Sequence, residues 1–196
     1  MHDATSPDIR SLEADAYQQG GYFTSGQARE HGVSRQLLDH HVRQGRLERV
    51  RRGLYRVRGF PTSQHDDIRE KWMAIGTEKA IVSHESALTL LELSDNVPDK
   101  VHLLVPRRYR GLRRPSGVVI HTHPDDEEIA AVWRDGMPLT APARTLVDVA
   151  EQLQPEQATM AAQQALRLGL LTRRQLEQEA TRRRKTRALE TLLPDR

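Results

Sequence analysis

The sequence of 196 residues contains no cysteine, which excludes disulfide bonds and thiolate metal sites. Aromatic residues make up only 4% of the chain, too few to line a wide aromatic ligand pocket. No apolar run approaches the roughly 20 residues that a membrane helix needs. The opening MHDATSPDIR lacks the apolar core of a signal peptide. These absences predict a cytoplasmic protein without a membrane partner.

The charged residues, in contrast, are abundant and are grouped in blocks. The formal net charge is only +3, but residues 34–58 carry eight arginines against Asp39 and Glu48. Residues 107–114 carry five arginines and no acid, whereas residues 123–160 carry eight acids against two arginines. Such blocks indicate separate surfaces with separate partners, and the basic ones favour nucleic acid.

The first sixty residues show signals for three helices followed by a β-hairpin. Ser6 suits the start of the first helix, the spacing of Thr24 and Gln27 is that of a capping box, and Ser34 suits the start of the third helix. The segment RLERVRRGLYRV contains two β-rich runs that join at Arg52-Gly53. This order of elements predicts a winged helix-turn-helix.

The third predicted helix has one apolar side and one polar side. At 100° per residue, Leu37, Leu38, His41 and Val42 fall together and can pack on the first two helices. The opposite side carries arginine, glutamine and histidine, and in the major groove arginine reads guanine while glutamine reads adenine. A solvated helix face is the alternative interpretation.

The hairpin is predicted to be a wing that binds DNA phosphates. Val50, Tyr55 and Val57 can pack inward, while the arginines of the hairpin point outward to the DNA. The DNA-contacting residues predicted for the helices and the wing are Thr24, Ser34, Arg35, Gln36, His40, Arg43, Arg49, Arg51, Arg52 and Arg56.

A turn-rich stretch at residues 60–66 separates this region from alternating helix and strand signals. Residues 101–105, 117–123 and 128–133 have strand character, and helices are expected from Asp66, Ser83, Pro142, Pro155 and Thr172. The fold class is therefore α+β. Residues 1–60 are predicted to form a winged helix-turn-helix domain, and residues 66–196 a mixed α/β domain that ends in a helical segment.

Three polar motifs of the second region favour structural interpretations. In HTHPDDEE, His121 and His123 share a strand face and with Asp125 and Asp126 offer a metal site, yet a polar strand end is favoured. Arg144 and Asp148 have the spacing of a helical ion pair. The segment TRRRK at 181–185 is expected to be a solvated helix end.

The basic segment RRYRGLRR at 107–114 leaves its role open. It lies between two predicted strands, and a second DNA-contacting loop, a solvated hairpin and a patch that faces a partner protein are all compatible with it. The chain has no glycine-rich phosphate loop and no recognisable triad. We therefore predict no enzyme activity, no metal and no cofactor.

Two segments together resemble a known family. GYFTSGQAREHGVSRQLLDHHVRQGRLERVRRGLYRV and LTAPARTLVDVAEQL are similar to the AbiEi-type antitoxins of bacterial type IV toxin–antitoxin, or abortive infection, systems. The resemblance implies a winged helix that binds inverted repeats in its own promoter and represses its own operon. It also implies a C-terminal antitoxin domain that opposes a nucleotidyltransferase toxin, directly or indirectly.

Alternatives to this antitoxin interpretation remain. One is a stand-alone winged-helix transcriptional regulator whose second domain senses a ligand or dimerises. Another is a DNA-acting nuclease that uses His121, His123 and Asp125. The expected partners are double-stranded DNA and the toxin, and the chain is expected to be a monomer or a weak dimer.

Overall fold

The computed structural model describes residues 8–96 and 98–194, which form two compact units. The first comprises the described residues up to Thr77 together with Asp135–Met137, and the second comprises Glu78–Arg134 and those from Pro138 onward. The helix that begins at Asp66 thus lies in the first unit, whereas the sequence had placed it in the second domain. Within the described ranges, no helix is long and apolar enough to cross a membrane.

The first unit combines four helices with one small sheet. Its elements are α1 (Ile9–Gln18), β1 (Tyr22–Thr24), α2 (Ser25–Glu30), α3 (Arg35–Arg43), β2 (Leu47–Arg51), β3 (Leu54–Val57) and α4 (Asp66–Ile75). The strands pair antiparallel in the order β1-β3-β2. Three helices followed by the β2–β3 hairpin make the predicted winged helix-turn-helix, and β1 is a strand that the sequence analysis missed.

Side chains at the helix starts explain why the helices begin where they do. Thr24 and Gln27 form the predicted capping box of α2, and the Ser34 hydroxyl accepts from the Leu37 N–H at 3.2 Å. The Asp8 carboxylate caps α1, accepting from the backbone of the third helical residue at 2.9 Å. The predicted cap Ser6 lies outside the described residues.

The core of the first unit joins the inner faces of α1, α2 and α3 to the wing. Tyr55 and Val57 point inward as predicted, but Leu47 is fully buried where Val50 was expected, and Val50 is half-buried. A register shift between Arg49 and Arg51 breaks the alternation of the strand and accounts for the difference. The buried cluster is Leu12, Ala16, Phe23, Ala28, Val33, Leu38, Leu47, Tyr55 and Val57.

The second unit is a mixed α/β domain, as the sequence predicts. Its elements are β4 (Ile81–Val82), α5 (His84–Leu90), β5 (Val101–Pro106), a 3-10 turn (Arg107–Tyr109), β6 (Val118–His123), β7 (Ala131–Arg134), β8 (Met137–Thr140), α6 (Pro142–Val149), α7 (Pro155–Arg167), α8 (Arg173–Arg182) and α9 (Ala188–Leu192). The strand order is β6-β5-β4-β8-β7.

The pairing of β5 with β6 rules out one of the roles considered for the basic segment 107–114, that of a solvated hairpin. The two strands are parallel, with Val101 opposite Val118 and Pro106 opposite His123. The segment between them is therefore a crossover connection, since a hairpin joins antiparallel strands. The short strands β4 and β8 were not predicted, and the strand expected at 128–133 covers Ala131–Arg134 instead.

Candidate nucleic-acid interface

Helix α3 presents a polar face to solvent. Arg35, Gln36, His40 and Arg43 are exposed, while the opposite side of the helix packs into the core of the first unit through Leu38. The helix is only nine residues long, and packing on one face together with the Ser34 cap fixes its orientation. Its free face is thus held rigidly by the rest of the unit.

The tip of the wing is tied to the start of α2. The Ser25 N–H donates to the Gly53 carbonyl at 2.9 Å. Gly53 adopts a φ of +80°, a left-handed conformation that side chains other than glycine rarely tolerate. Arg52, the other residue of this two-residue turn, therefore lies close to the start of α2, and it lines the same cavity as Ser34 and Arg35 at the start of α3.

A basic cavity of about 460 Å³ lies between these helix ends and the wing. No acidic side chain lines it, and within the described part of the chain its four arginines form no ion pair. The polar groups that face it are Ser25, Arg29, Ser34, Arg35, Arg49 and Arg52. Unpaired guanidinium groups and hydroxyl donors suit an anion with several oxygens, such as a DNA phosphate.

A second, shallower groove of about 710 Å³ runs along the exposed face of α3. Gln36 and Arg43 line it together with Arg35 and Arg49, which also border the basic cavity. The Arg43 Nε donates to the Asp39 carbonyl at 3.3 Å, which holds its side chain against the helix. The groove thus combines amide and guanidinium groups that can read base edges with arginines that can bind phosphates.

Two wing arginines do not belong to this surface, contrary to the expectation that all four point outward. Arg51 donates from Nε to Oε1 of Glu70 at 2.8 Å. Arg56 donates to the Asp66 carboxylate at 3.1 Å, and its guanidinium lies over the ring of Tyr22. The Arg56 side chain is only 13% exposed, so it is a structural residue of the first unit.

The reason for this correction is helix α4. It packs against β1 and β3 and supplies both carboxylates, Asp66 and Glu70. Because the sequence analysis assigned these residues to the second domain, the outer face of the wing appeared free. In fact the face that carries Arg51 and Arg56 is covered within the same unit.

Two further predicted DNA-contacting residues, Thr24 and His40, also lie outside the two cavities. The Thr24 hydroxyl serves the capping box of α2 and lines neither cavity, and exposed His40 also lies outside both linings. Conversely, Ser25 and Arg29 line the basic cavity although the sequence analysis did not select them. The sequence signal for both was their position in α2, the short helix that precedes α3, where Ser25 is the first residue and Arg29 lies in the last turn.

In the second unit, the residues that were weighed as metal ligands have other partners. His121 Nε2 lies 3.1 Å from His102 Nδ1, and the His123 Nδ1–H donates to the Pro124 carbonyl at 2.7 Å. Asp125 accepts from the Arg108 backbone N–H at 2.9 Å. Over residues 8–96 and 98–194, no three His, Asp or Glu side chains are placed to hold a metal ion.

His121 belongs instead to a stacked cluster of histidines. Its ring lies parallel to that of His84, with the centroids 3.4 Å apart, and 5.1 Å from the centroid of His102. Burial, together with the smaller effects of the neighbouring His102 and Lys185, lowers the pKa of His121 to about 4. Burial also lowers the pKa of His84 and of His102, so all three rings are neutral at pH 7.

The predicted ion pair between Arg144 and Asp148 is present and buried. The Arg144 Nε lies 3.4 Å from the Asp148 Oδ2, and the two side chains are only 4% and 3% exposed. Arg183 donates to the Asp148 Oδ1 at 2.8 Å, and the Lys185 ammonium lies 3.6 Å from it. The sequence predicted a solvated helix end for the basic segment 181–185. In the structure this segment is part of a charge network around the buried Asp148 carboxylate.

The crossover segment 107–114 keeps its arginines exposed. Arg108 lies 3.6 Å from the Asp125 carboxylate and stacks over the ring of Tyr109. Contact of this segment with DNA stays one of the roles that the sequence leaves open.

The fold and the surface define a winged helix-turn-helix regulator with a second, mixed α/β domain. Residues 16–58 match a family described as transcriptional regulator, AbiEi antitoxin, and residues 80–195 match the AbiEi antitoxin C-terminal domain. The chain therefore belongs to the AbiEi antitoxin family, whose members act as antitoxins and transcriptional regulators.

One solved structure with the same fold is the crystal structure of the RV2827C protein from Mycobacterium tuberculosis. The similarity covers 97% of this chain and 79% of that one, with a TM-score of 0.53 and 16% sequence identity. At that identity the likeness concerns the fold alone. No curated protein matches the sequence.

Proposed function

We propose that this protein represses its own operon by binding inverted repeats in its promoter through α3 and the wing. The observation that carries the proposal is the basic cavity between α2, α3 and the wing. It brings Arg29, Arg35, Arg49 and Arg52 together without a neutralising acid. Such a concentration of unpaired charge is costly for the protein alone and is relieved by a phosphate backbone.

Within this proposal the two cavities have different tasks. Arg35, Arg49 and Arg52 bind phosphates and set the position of the protein on the duplex, with Ser25 and Ser34 donating additional hydrogen bonds. Gln36 and Arg43 enter the major groove and contact base edges. Arg51 and Arg56 are left out of the proposed contact surface because α4 binds them.

The experiment is a fluorescence anisotropy titration of the full chain with its own upstream region. A scrambled duplex of the same length and composition is the control. We expect specific binding that is at least about a thousandfold tighter than binding to the scrambled duplex. Equal affinity for both duplexes would contradict the repressor function.

We further propose that the protein is the cytoplasmic antitoxin of a pair whose toxin is a nucleotidyltransferase. It opposes the toxin, directly or indirectly, without a reaction of its own. The family membership supports the antitoxin role, while the identity of the toxin is an expectation from the resemblance. A monomer or weak dimer is sufficient, because two monomers can occupy the two halves of an inverted repeat.

The toxin proposal is tested by growth rescue. Expression of a nucleotidyltransferase encoded beside this chain should arrest growth, and co-expression of the chain should restore it. An Arg35→Ala and Arg49→Ala double variant separates the two roles, because it should lose repression and keep rescue under a heterologous promoter. Failure of the parent chain to rescue at confirmed expression would reject the antitoxin pairing.

A further inference from the structure

The second unit contains a polar cavity of about 420 Å³ that the proposed regulator function does not use. Three arginines line it, namely Arg144 from α6 together with Arg182 and Arg183 from the end of α8. Thr122 and His123 at the end of β6 lie beside them. The volume is within the range of pockets that bind small molecules.

All three guanidinium groups converge on a single carboxylate oxygen, the Oε1 of Glu127. That oxygen lies 2.7 Å from Arg144, 3.2 Å from Arg182 and 3.6 Å from Arg183. Burial raises the pKa of Glu127, but the hydrogen bonds and charges of these arginines lower it overall, so the carboxylate is ionised at neutral pH. Glu127 therefore occupies the centre of an anion-binding arrangement.

The segment that carries Glu127 is not part of a helix or strand. It connects β6 to β7, and among the described residues its backbone hydrogen bonds are those from the Glu127 N–H to the Pro124 carbonyl and from the Ala141 N–H to the Ala130 carbonyl, both at 3.2 Å. The Asp125 side chain also accepts from the Arg108 N–H at 2.9 Å. A segment with so few backbone bonds can move without disrupting the sheet. The carboxylate can thus leave the arginines more easily than the arginines can leave their helices.

The arginines also have donors that Glu127 does not satisfy. In the described part of the chain, the Arg183 Nε is buried without a hydrogen-bond partner, and the buried Arg144 Nε faces the Asp148 Oδ2 at 3.4 Å without forming a hydrogen bond. Buried donors of this kind are costly and are normally paired. Arg144 is only 4% exposed, so its donors can be satisfied only from within the cavity or by its neighbours.

The charges around the cavity favour an added anion once Glu127 withdraws. The bases are then Arg144, Arg182, Arg183 and Lys185, and the acids are Asp148, Glu179 and the exposed Asp126. The net charge of these seven groups is then positive. A phosphate monoester carries more charge and more acceptor oxygens than a carboxylate, and its geometry matches the paired donors of arginine.

We propose that this cavity binds the phosphate group of a phosphorylated small molecule, and that the ligand displaces the Glu127 carboxylate from Arg144, Arg182 and Arg183. Glu127 is then an internal substitute that keeps the arginines paired when no ligand is bound. The residues involved lie in the second unit, whereas the proposed DNA-contacting surface lies in the first.

The test uses inorganic phosphate as the probe and the full chain as the protein. Phosphate affinity is measured by calorimetry at pH 7.5, against sodium chloride at matched ionic strength. Glu127→Gln removes the competing charge and should bind phosphate at least about tenfold tighter than the parent. Arg182→Gln should bind it about tenfold more weakly, and its half-exposed position leaves the fold intact.

Arg174→Gln is the matched control, because Arg174 is exposed on the same helix and does not line the cavity. It should bind phosphate like the parent. Equal phosphate affinity of the parent, Glu127→Gln and Arg182→Gln would overturn the proposal, as would absence of binding in both the parent and Glu127→Gln. If Glu127→Gln does not fold, the phosphate affinities of the parent and of Arg182→Gln still test the proposal, and equal affinities would overturn it.

A second series identifies the source of the phosphate. Adenosine monophosphate and a 5′-phosphorylated trinucleotide compete separately against inorganic phosphate, with adenosine and the 5′-hydroxyl trinucleotide as controls. Competition by either phosphorylated compound supports the site and shows whether a free nucleotide or a nucleic-acid end fits better. Equal competition by the hydroxyl controls would contradict recognition of the phosphate group.

Discussion

Arg51 of the wing and Glu70 of helix α4 form an ion pair, with 2.8 Å between Nε and Oε1. This pair divides the wing arginines into two classes. Arg51 is held against α4, whereas Arg52, the next residue, is exposed and lines the basic cavity. Adjacent residues of the same type therefore have different functions in the proposed account.

The first prediction uses this difference. Arg52→Ala should weaken binding to specific and random DNA alike and lower the slope of log K against log salt by about one unit. Arg51→Ala should leave that slope unchanged and reduce the free energy of unfolding by about 1 kcal/mol or less, since the pair is partly exposed. Salt titrations of DNA binding and urea unfolding measure the two effects.

A second prediction concerns the turn of the wing. Gly53→Ala places a side chain at a φ of +80°, which should cost about 1–2 kcal/mol and displace Arg52. The added Cβ itself meets only the Ser25 Oγ at 3.4 Å, an ordinary contact. Gly111→Ala is the control, because nothing lies within 4 Å of its Cβ position and its φ is not positive. Both variants are compared by urea unfolding and promoter binding.

The third prediction tests base reading by α3. Arg43→Ala should lower promoter affinity by about 1–3 kcal/mol and broaden the base preference at one position. Affinities for a set of single-base promoter variants measure this preference. An unchanged base preference with a uniform loss of affinity would assign Arg43 to phosphate binding instead.

The fourth prediction follows from the stacked histidines of the second unit. An unfolded histidine takes up a proton near pH 6.5, but burial lowers the pKa of folded His121 to about 4. Between these two pKa values the unfolded state binds more protons than the folded state. The contribution of His121 to the free energy of unfolding is therefore fully present above pH 6.5 and is lost as the pH decreases. From pH 7.5 to pH 5 we expect a loss of at least about 1 kcal/mol in urea unfolding.

His121→Phe is the variant that isolates this effect. It keeps a ring between His84 and His102 but cannot take up a proton, so its loss of stability from pH 7.5 to pH 5 should be smaller than that of the parent. A parent protein of constant stability over this range would show that the histidines are accessible to protons in the folded state.

The sequence predicted those features of the first unit that depend on local interactions. The capping pair Thr24–Gln27, the cap Ser34 and the apolar side of α3 all depend on residues within one helical turn. The environments of Arg51 and Arg56 were mispredicted because they depend on α4, which follows the wing after a turn-rich segment. Pattern analysis places helices well but does not show which domain a helix packs on.

Burial of charge was the second limit of the sequence analysis. Arg144 and Asp148 have the spacing of a surface ion pair, and nothing local indicates that both are more than nine-tenths buried. Their burial follows from the segment at 182–185, some thirty-five residues later, which brings Arg183 and Lys185 to the same carboxylate. The two-residue strand β4 was missed for a related reason, since its pairing with β5 and β8 is not local.

The central proposal for this protein is that the cavity between α2, α3 and the wing holds DNA phosphates. The direct measurement is the salt dependence of promoter binding for the parent and for the Arg35→Ala and Arg49→Ala double variant. We predict that the double variant lowers the slope of log K against log salt by about two units while its circular dichroism spectrum stays unchanged. A folded double variant with the slope and affinity of the parent would contradict the account.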